Sequence, residues 1–245
     1  MNPRTLRRYF DRYAGATGEC IVKTADVAVV IDATYFERGD GMMLCRTATE
    51  NLYWKPVMTE RIEDYAACID AAIAIGRRVL AATVDGRRGV RQMLEKRGII
   101  VQFCQFHQIA LVKRHIPAKA KTEAARALRC IALRLCSMCE IQCETALSTW
   151  HILYSDFLRE RTYDAVNKRH WQYTHRRLRS AWRSLHNNLP YLFAFERYPK
   201  LKIPNTTNYC DGLFAHLKER IGIHRGLSKA RKMKMLNYLL EEWFK

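Results

Sequence analysis

No stretch of this chain approaches the roughly 18 consecutive apolar residues that a membrane-spanning helix needs. Its most apolar segments, DVAVVIDATYF and YAACIDAAIAIG, are short and interrupted by Asp32 and Asp70. No apolar stretch follows the charged opening MNPRTLRRYFDRY, so neither a signal peptide nor an anchor is expected, and a cytoplasmic protein is. Internal repeats, low-complexity tracts and linkers rich in Pro, Gly or Ser are also missing, which argues against two loosely tethered domains. Acid is scarce: 24 Asp+Glu face 42 Lys+Arg among 245 residues, a net charge of +18. Nine cysteines, an odd number scattered through apolar stretches, make no secreted disulfide framework and suit buried thiols in a reducing compartment.

The chain is 49% hydrophobic and 11% aromatic, enough to bury a real core, so a disordered basic tail is excluded. Its length suits one large domain or two small ones. A compact body of this charge repels itself unless a polyanion neutralises it. Nucleic acid is the leading partner and an anionic membrane surface the second, with no membrane expected in the final reading.

Residues 19–101 read as alternating strands and helices. Val27, Val29 and Ile31 alternate up to Asp32, a turn falls at Gly39-Asp40-Gly41, and MMLCRTATE with NLYWKPVMTE reads as a hairpin. IEDYAACIDAAIAIGRR reads as a helix on Ile62, Tyr65, Ala66, Ile69 and Ile73, ended by Gly76. VLAATVDG is a strand stopping at Asp85, GVRQMLEKRG a short helix, and IIVQFCQFH the next strand. The expected fold class is α/β, a mixed sheet with helices packed on it. From Ile109 to about Leu192 the pattern turns helical, with few Gly and no strand signal between Pro117 and Pro190. Trp171, His175, Leu178, Trp182, Leu185 and Leu189 form one apolar stripe there. Arg176, Arg179 and Arg183 form a basic ridge opposite. Two further helices are expected, around Gly212–Arg220 and from Ser228, an N-cap, onward.

Three acids stand where the chain leaves a regular element: Asp32 in VVIDATYF, Asp85 in ATVDGRRG and Asp211 in NTTNYCDG. Carboxylates exposed at strand ends can meet from distant sequence and hold divalent metal, and two such ions serve an in-line phosphoryl displacement. Turn capping is the alternative for Asp32 and Asp85, since Asp-Gly is a common turn. The basic surplus favours catalysis, because a phosphodiester substrate needs a cationic track.

These pieces resemble the catalytic region of bacterial insertion-sequence transposases of the Mutator-like kind. The matching segments are VVIDATYF, TVDGRRGV, FCQFH with Cys104 and His107, and PNTTNYCDGLFAHLKERIGIHRGLS, in the family's order over residues 26–240. The resemblance implies an RNase H-like core carrying a DDE-type triad, here Asp32, Asp85 and Asp211, with two Mg²⁺ or Mn²⁺ ions. The family has Glu where this chain has Asp211, one methylene shorter, and Glu219 is about 12 Å further along the helix. The 126-residue gap from position 85 to 211 fits the family's helical insertion. The implied divisions are a basic segment over 1–25, the first part of the core over 26–108, the insertion over 109–200 and C-terminal core helices over 201–245.

Near the metals the resemblance places Cys104, His107, Asn208 and His224, with His107 either orienting a phosphate or serving as a hydrogen-bonded core histidine. Zinc is not expected, because Cys-x-x-His supplies two ligands and no second pair lies nearby. Cys136, Cys139 and Cys143 share one helical face and read as core thiols. Arg176, Arg177, Arg179, Arg183, Lys218, Arg225, Arg231 and Lys232 are the expected phosphate contacts. Trp150, Trp171 and Trp182 either stack on a base or pack in the core. The implied activity is strand cleavage and strand transfer on double-stranded DNA, at transposon ends and target, by a homo-oligomer. A degenerate transposase that binds without cutting is the alternative, fed by Asp211 and by the roughly 25 residues ahead of the first strand, where the family carries a recognition module. A junction-resolving or other RNase H-like nuclease is a third option.

Overall fold

Strand β1, Ala25–Glu37, is the first element described; the computed structural model describes residues 25–164, 170–223 and 226–242. Most of the expected basic N-terminal segment, together with His224 and Arg225, lies outside the described residues. The chain divides into two compact units. The first runs to Ala82 and takes in Lys96–Ile99 and the chain from Thr207; the second is Thr83–Glu95 with Ile100–Thr206. The fold is mixed α/β, with a five-stranded sheet that contains both parallel and antiparallel neighbours.

In the first unit, β1 pairs antiparallel with β2, Asp40–Arg46, which pairs antiparallel with β3, Asn51–Val57. Simple alternation fails in the middle of β1, where Val29, Val30, Ile31 and Asp32 are all buried, as in a strand covered on both faces. Gly39 takes the turn at φ +74°. Gly41 is required by space: a Cβ there would meet the Tyr35 ring at 2.7 Å and the Val57 carbonyl at 3.0 Å.

Helix α1, Ile62–Ala74, starts where the Arg61 amide donates to Asp64 Oδ2 at 3.0 Å and ends before Gly76 at φ +83°. Its buried stripe is Tyr65, Cys68, Ile69 and Ala72, while Ile62 and Ile73 are exposed, so the expected apolar face is rotated. Small Cys68 and Ala72 let the helix lie close to β2 and β3, which the Ile-based stripe did not foresee.

Two later helices of this unit are α8, Asn208–Ile223, and α9, Lys229–Glu242. Cys210, Leu213, Phe214, Leu217 and Ile221 form the buried face of α8 and pack with Val30, Met42 and Leu44 of the sheet and with Leu236 and Leu240 of α9. Polar ties fix the register: Trp54 Nε1 donates to Asn237 Oδ1 at 3.2 Å, and Asn51 Nδ2 to the Leu240 carbonyl at 3.2 Å. Ser228 caps α9 as expected, its hydroxyl accepting from the Arg231 amide at 3.4 Å.

Between them in sequence come β4, Arg77–Val84; α2, Arg88–Lys96; β5, Ile100–Phe103; and α3, Gln105–His115. The strand expected through His107 therefore stops four residues early. The Cys104 amide donates to the Val84 carbonyl at 2.9 Å and the Gln105 amide to the Asn205 carbonyl at 3.0 Å, and the chain turns into a helix whose buried face is Gln105, Gln108 and Val112.

The rest of the second unit is mainly helical: α4, Glu123–Leu133; α5, Glu140–Arg159; α6, Arg176–Leu192; and α7, Ala194–Arg197. Thr122 caps α4, its hydroxyl accepting from the Ala125 amide at 3.3 Å. Between α4 and α5 the chain makes a 3-10 turn at Leu135–Ser137 and extends at Met138. Cys136 and Cys139 are consequently exposed and Cys143 alone of the three is buried, which corrects the expectation of one shared face.

A second correction is the small antiparallel sheet of β6, Arg161–Tyr163, and β7, Trp171–Tyr173, where no strand was expected. Trp171 is thus a strand residue, 42% exposed under the Arg161 guanidinium at 3.9 Å from its ring centre, and not part of a helical stripe. Among the described residues no helix is long and apolar enough to cross a membrane.

Candidate metal centre

Asp32 sits in the middle of β1, opposite Leu44 and 6% exposed; the Ala33 amide donates to its Oδ1 at 2.8 Å. A buried carboxylate in a strand otherwise made of Val and Ile needs such donors or a cation to be tolerated. Asp85 follows Val84 directly, at the end of β4, in a turn where the Arg87 amide donates to the Asp85 carbonyl at 2.7 Å.

Cys104 is the N-cap residue of α3 and His107 its third helical residue, a spacing that sets both side chains over the same helix start. With Cys104 tied to Val84, the residue after Val84 faces the first turn of α3. Asp85 Oδ1 lies 2.6 Å from His107 Nδ1, a close ion pair whose ring N–H is not aligned well enough for a good hydrogen bond. Asp85, then Cys104, hold His107 in its charged form against the pull of burial, pushing its pKa up to about 11. An imidazolium at a helix start opposes the helix dipole, so the carboxylate beside it carries the stabilisation.

Asp85 and its neighbour His107 are acidic and imidazole groups that could contribute to a metal site. A carboxylate and an imidazole suit a borderline first-row ion; Mg²⁺ is more demanding of oxygen and water. A proton on His107 and a metal ion compete for the same negative charge. Further donors would be needed to complete the coordination of one ion.

Asp211 belongs to the first unit. It lies in the first turn of α8, exposed, with Thr207 Oγ1 3.4 Å from its Oδ2 and its amide donating to the Thr207 carbonyl at 3.1 Å. Asn208 is the first residue of that helix and is exposed.

Of the expected phosphate contacts, Arg176, Arg183 and Lys218 are exposed. Arg177 donates to the Arg114 carbonyl, and Lys232 pairs with Glu37. Arg179 donates to the Leu158 carbonyl at 2.6 Å and lies 3.5 Å over the Tyr173 ring, so it braces β7 against α5 and α6. Trp150 is 2% exposed with Nε1 donating to the Ala124 carbonyl at 2.9 Å, a core residue that no base can reach. Trp182 is sandwiched between His151 at 4.2 Å and His186 at 5.0 Å.

Sequence reasoning missed the amides that tie β5 and the start of α3 to α6 and α7. Gln102 Nε2 donates to the Leu192 carbonyl at 2.9 Å and its Oε1 accepts from the Phe195 amide at 3.1 Å; Gln105 Nε2 donates to the same Leu192 carbonyl at 3.0 Å. Gln108 joins Ser184 and Asn188 of α6 at 3.1 and 2.9 Å. Three glutamines at three-residue spacing around Cys104 and His107 were the available signal. No family model matches this chain, and no curated protein matches it either.

Proposed function

We propose that this protein is a DNA transposase of the RNase H-like, DDE kind, which cleaves a strand at an insertion-sequence end and transfers it to target DNA in the cytoplasm as a homo-oligomer. One observation carries the reading: Asp85, at the end of an apolar strand, is paired with His107 at 2.6 Å, and Asp32 is buried in a second apolar strand, in a chain of net charge +18. The sheet supports it, with three antiparallel strands followed by two reached through helical connections, and a large helical segment before the last helices.

Bound Mg²⁺ or Mn²⁺ would supply a nucleophilic water at neutral pH and stabilise charge on the scissile phosphate. Asp32, oriented by the Ala33 amide, and Asp85, oriented by His107, would hold the ion, with Asp211 completing the set. His107 keeps a proton beside Asp85 for a phosphate oxygen. A nicking and strand-transfer assay with Mg²⁺ and Mn²⁺ tests this: wild type is active and Asp32→Asn is not, and equal behaviour of the two sinks the reading.

The binder that does not cut is favoured by Asp211, exposed and a methylene short of Glu. Cleavage that appears only in Asp211→Glu selects it.

A further inference from the structure

The second unit holds a groove of about 570 Å³ that the proposed chemistry does not use, on the α3–α4 loop, β6–β7 and the start of α6. Its basic lining is His115, Lys119, Lys121, His175, Arg176 and Arg177, and among the described residues no carboxylate lines it. His175 is already balanced by Glu160, 2.8 Å away. Lys119, Lys121, Arg176 and Arg177 have no carboxylate partner among the described residues. Burial, then the charges of Arg177 and Arg114, hold His115 below the usual histidine range. The Arg177 guanidinium is fixed by the Arg114 carbonyl, so one wall is preset while the two lysines form an exposed rim.

We propose that this groove seats the sugar–phosphate backbone of duplex DNA, with Lys119 and Lys121 contacting phosphates opposite Arg176 and Arg177. This rests on the DNA-transposase reading, and it adds the two lysines to the arginine ridge while removing Arg179, which is spent on Tyr173 and Leu158. Four cations with no acid among them create a potential that a polyanion satisfies and a small neutral ligand does not.

Anisotropy of a labelled duplex of about 30 base pairs, titrated over salt from about 50 to 200 mM, tests the proposal, because each phosphate contact contributes about 0.9 to the slope of log K against log salt. Lys119→Ala/Lys121→Ala lowers the slope by about 2 and leaves the far-ultraviolet circular dichroism unchanged. Lys96→Ala/Lys200→Ala, two exposed lysines outside the groove, leaves the slope as in wild type. An unchanged slope in the groove pair, an equal fall in both pairs, or stronger competition by an acidic polypeptide than by unlabelled duplex overturns it. A wild type that shows the groove effect but never cuts keeps the groove and removes the transposase reading. Cleavage with unchanged slope in the groove pair does the reverse.

Discussion

Gln102 is fully buried at the end of β5 and makes three hydrogen bonds: from Nε2 to the Phe103 carbonyl at 2.7 Å and the Leu192 carbonyl at 2.9 Å, and to Oε1 from the Phe195 amide at 3.1 Å. Gln102→Leu keeps the volume and removes all three. The Phe195 amide is left without this acceptor in the interior, a penalty of about 1–3 kcal/mol, and the lost bond to Leu192 adds about 1 kcal/mol because that carbonyl keeps Gln105. The expected destabilisation is about 2–4 kcal/mol, or a fall in Tm of about 5–15 °C for a chain of this size. Gln102→Ala opens a cavity as well and falls further by about 2 kcal/mol. In Gln102→Leu/Gln105→Leu the Leu192 carbonyl loses both donors, so the double variant is worse than the sum of the singles by about 1 kcal/mol. Urea unfolding followed by tryptophan fluorescence measures each value. A Gln102→Leu variant within about 0.5 kcal/mol of wild type refutes the claim that these amides join β5 and α3 to α6 and α7.

The metal group makes a second prediction: Mn²⁺ at about 100 times its Kd stabilises the wild type by about 2.7 kcal/mol, and Asp85→Asn removes most of the rise in Tm; an equal rise in both argues for binding elsewhere. Trp150→Phe loses the bond to Ala124 and part of a filled core position, costing about 1–3 kcal/mol, whereas Trp171→Phe on exposed β7 stays within about 0.5 kcal/mol, both read by chemical unfolding. Burial pushes Asp64 up, but Lys55 at 2.7 Å and the Arg61 amide outweigh it and hold the carboxyl below 3.8. The unfolded state therefore takes up the proton first as pH falls: the stabilisation is present above pH 3.8 and disappears as pH drops through the lower folded value, and Asp64→Asn flattens this acid limb by about 1 kcal/mol in a series of unfolding curves against pH.

Local signals announced the elements that local signals make. The Gly39 turn, the hairpin over β2 and β3, the stop at Gly76 and the Ser228 cap all depend on residues within a few positions of one another. What was hidden depends on partners far away. Strands β6 and β7 have three residues each, most of them exposed, so no burial pattern marks them, and Trp171 and His175 matched a helical stripe by coincidence of spacing. Cys136 and Cys139 looked like core because the break at Leu135–Ser137 carries neither Gly nor Pro. The rotated face of α1 follows from close packing on β2 and β3, which favours Cys68 and Ala72 over larger side chains.

The site shows the same division at a finer grain. An acid at an apolar strand end can be found by reading, as Asp85 was; Asp32 was expected at such an end too but lies in the middle of β1, which runs on to Glu37. Whether Cys104 and His107 meet such an acid depends on where β5 stops, and the sequence pattern through Gln105 and Phe106 continues to look like strand. The stop is imposed by hydrogen bonds of Cys104 to Val84 and of Gln105 to Asn205, the second spanning 100 positions. Once the chain turns there, Cys-x-x-His becomes N-cap and third helical residue, and the ring comes to rest against Asp85. The motif is therefore better understood as a helix-start device that delivers a histidine to a strand-end carboxylate than as half of a zinc site. On that view Cys104→Ser, which keeps the start of α3, leaves Mn²⁺ binding within a few fold of wild type by calorimetry, whereas His107→Ala removes the partner that orients Asp85 and weakens it by about 10-fold or more. A comparable loss in Cys104→Ser makes the thiol a ligand and defeats the argument.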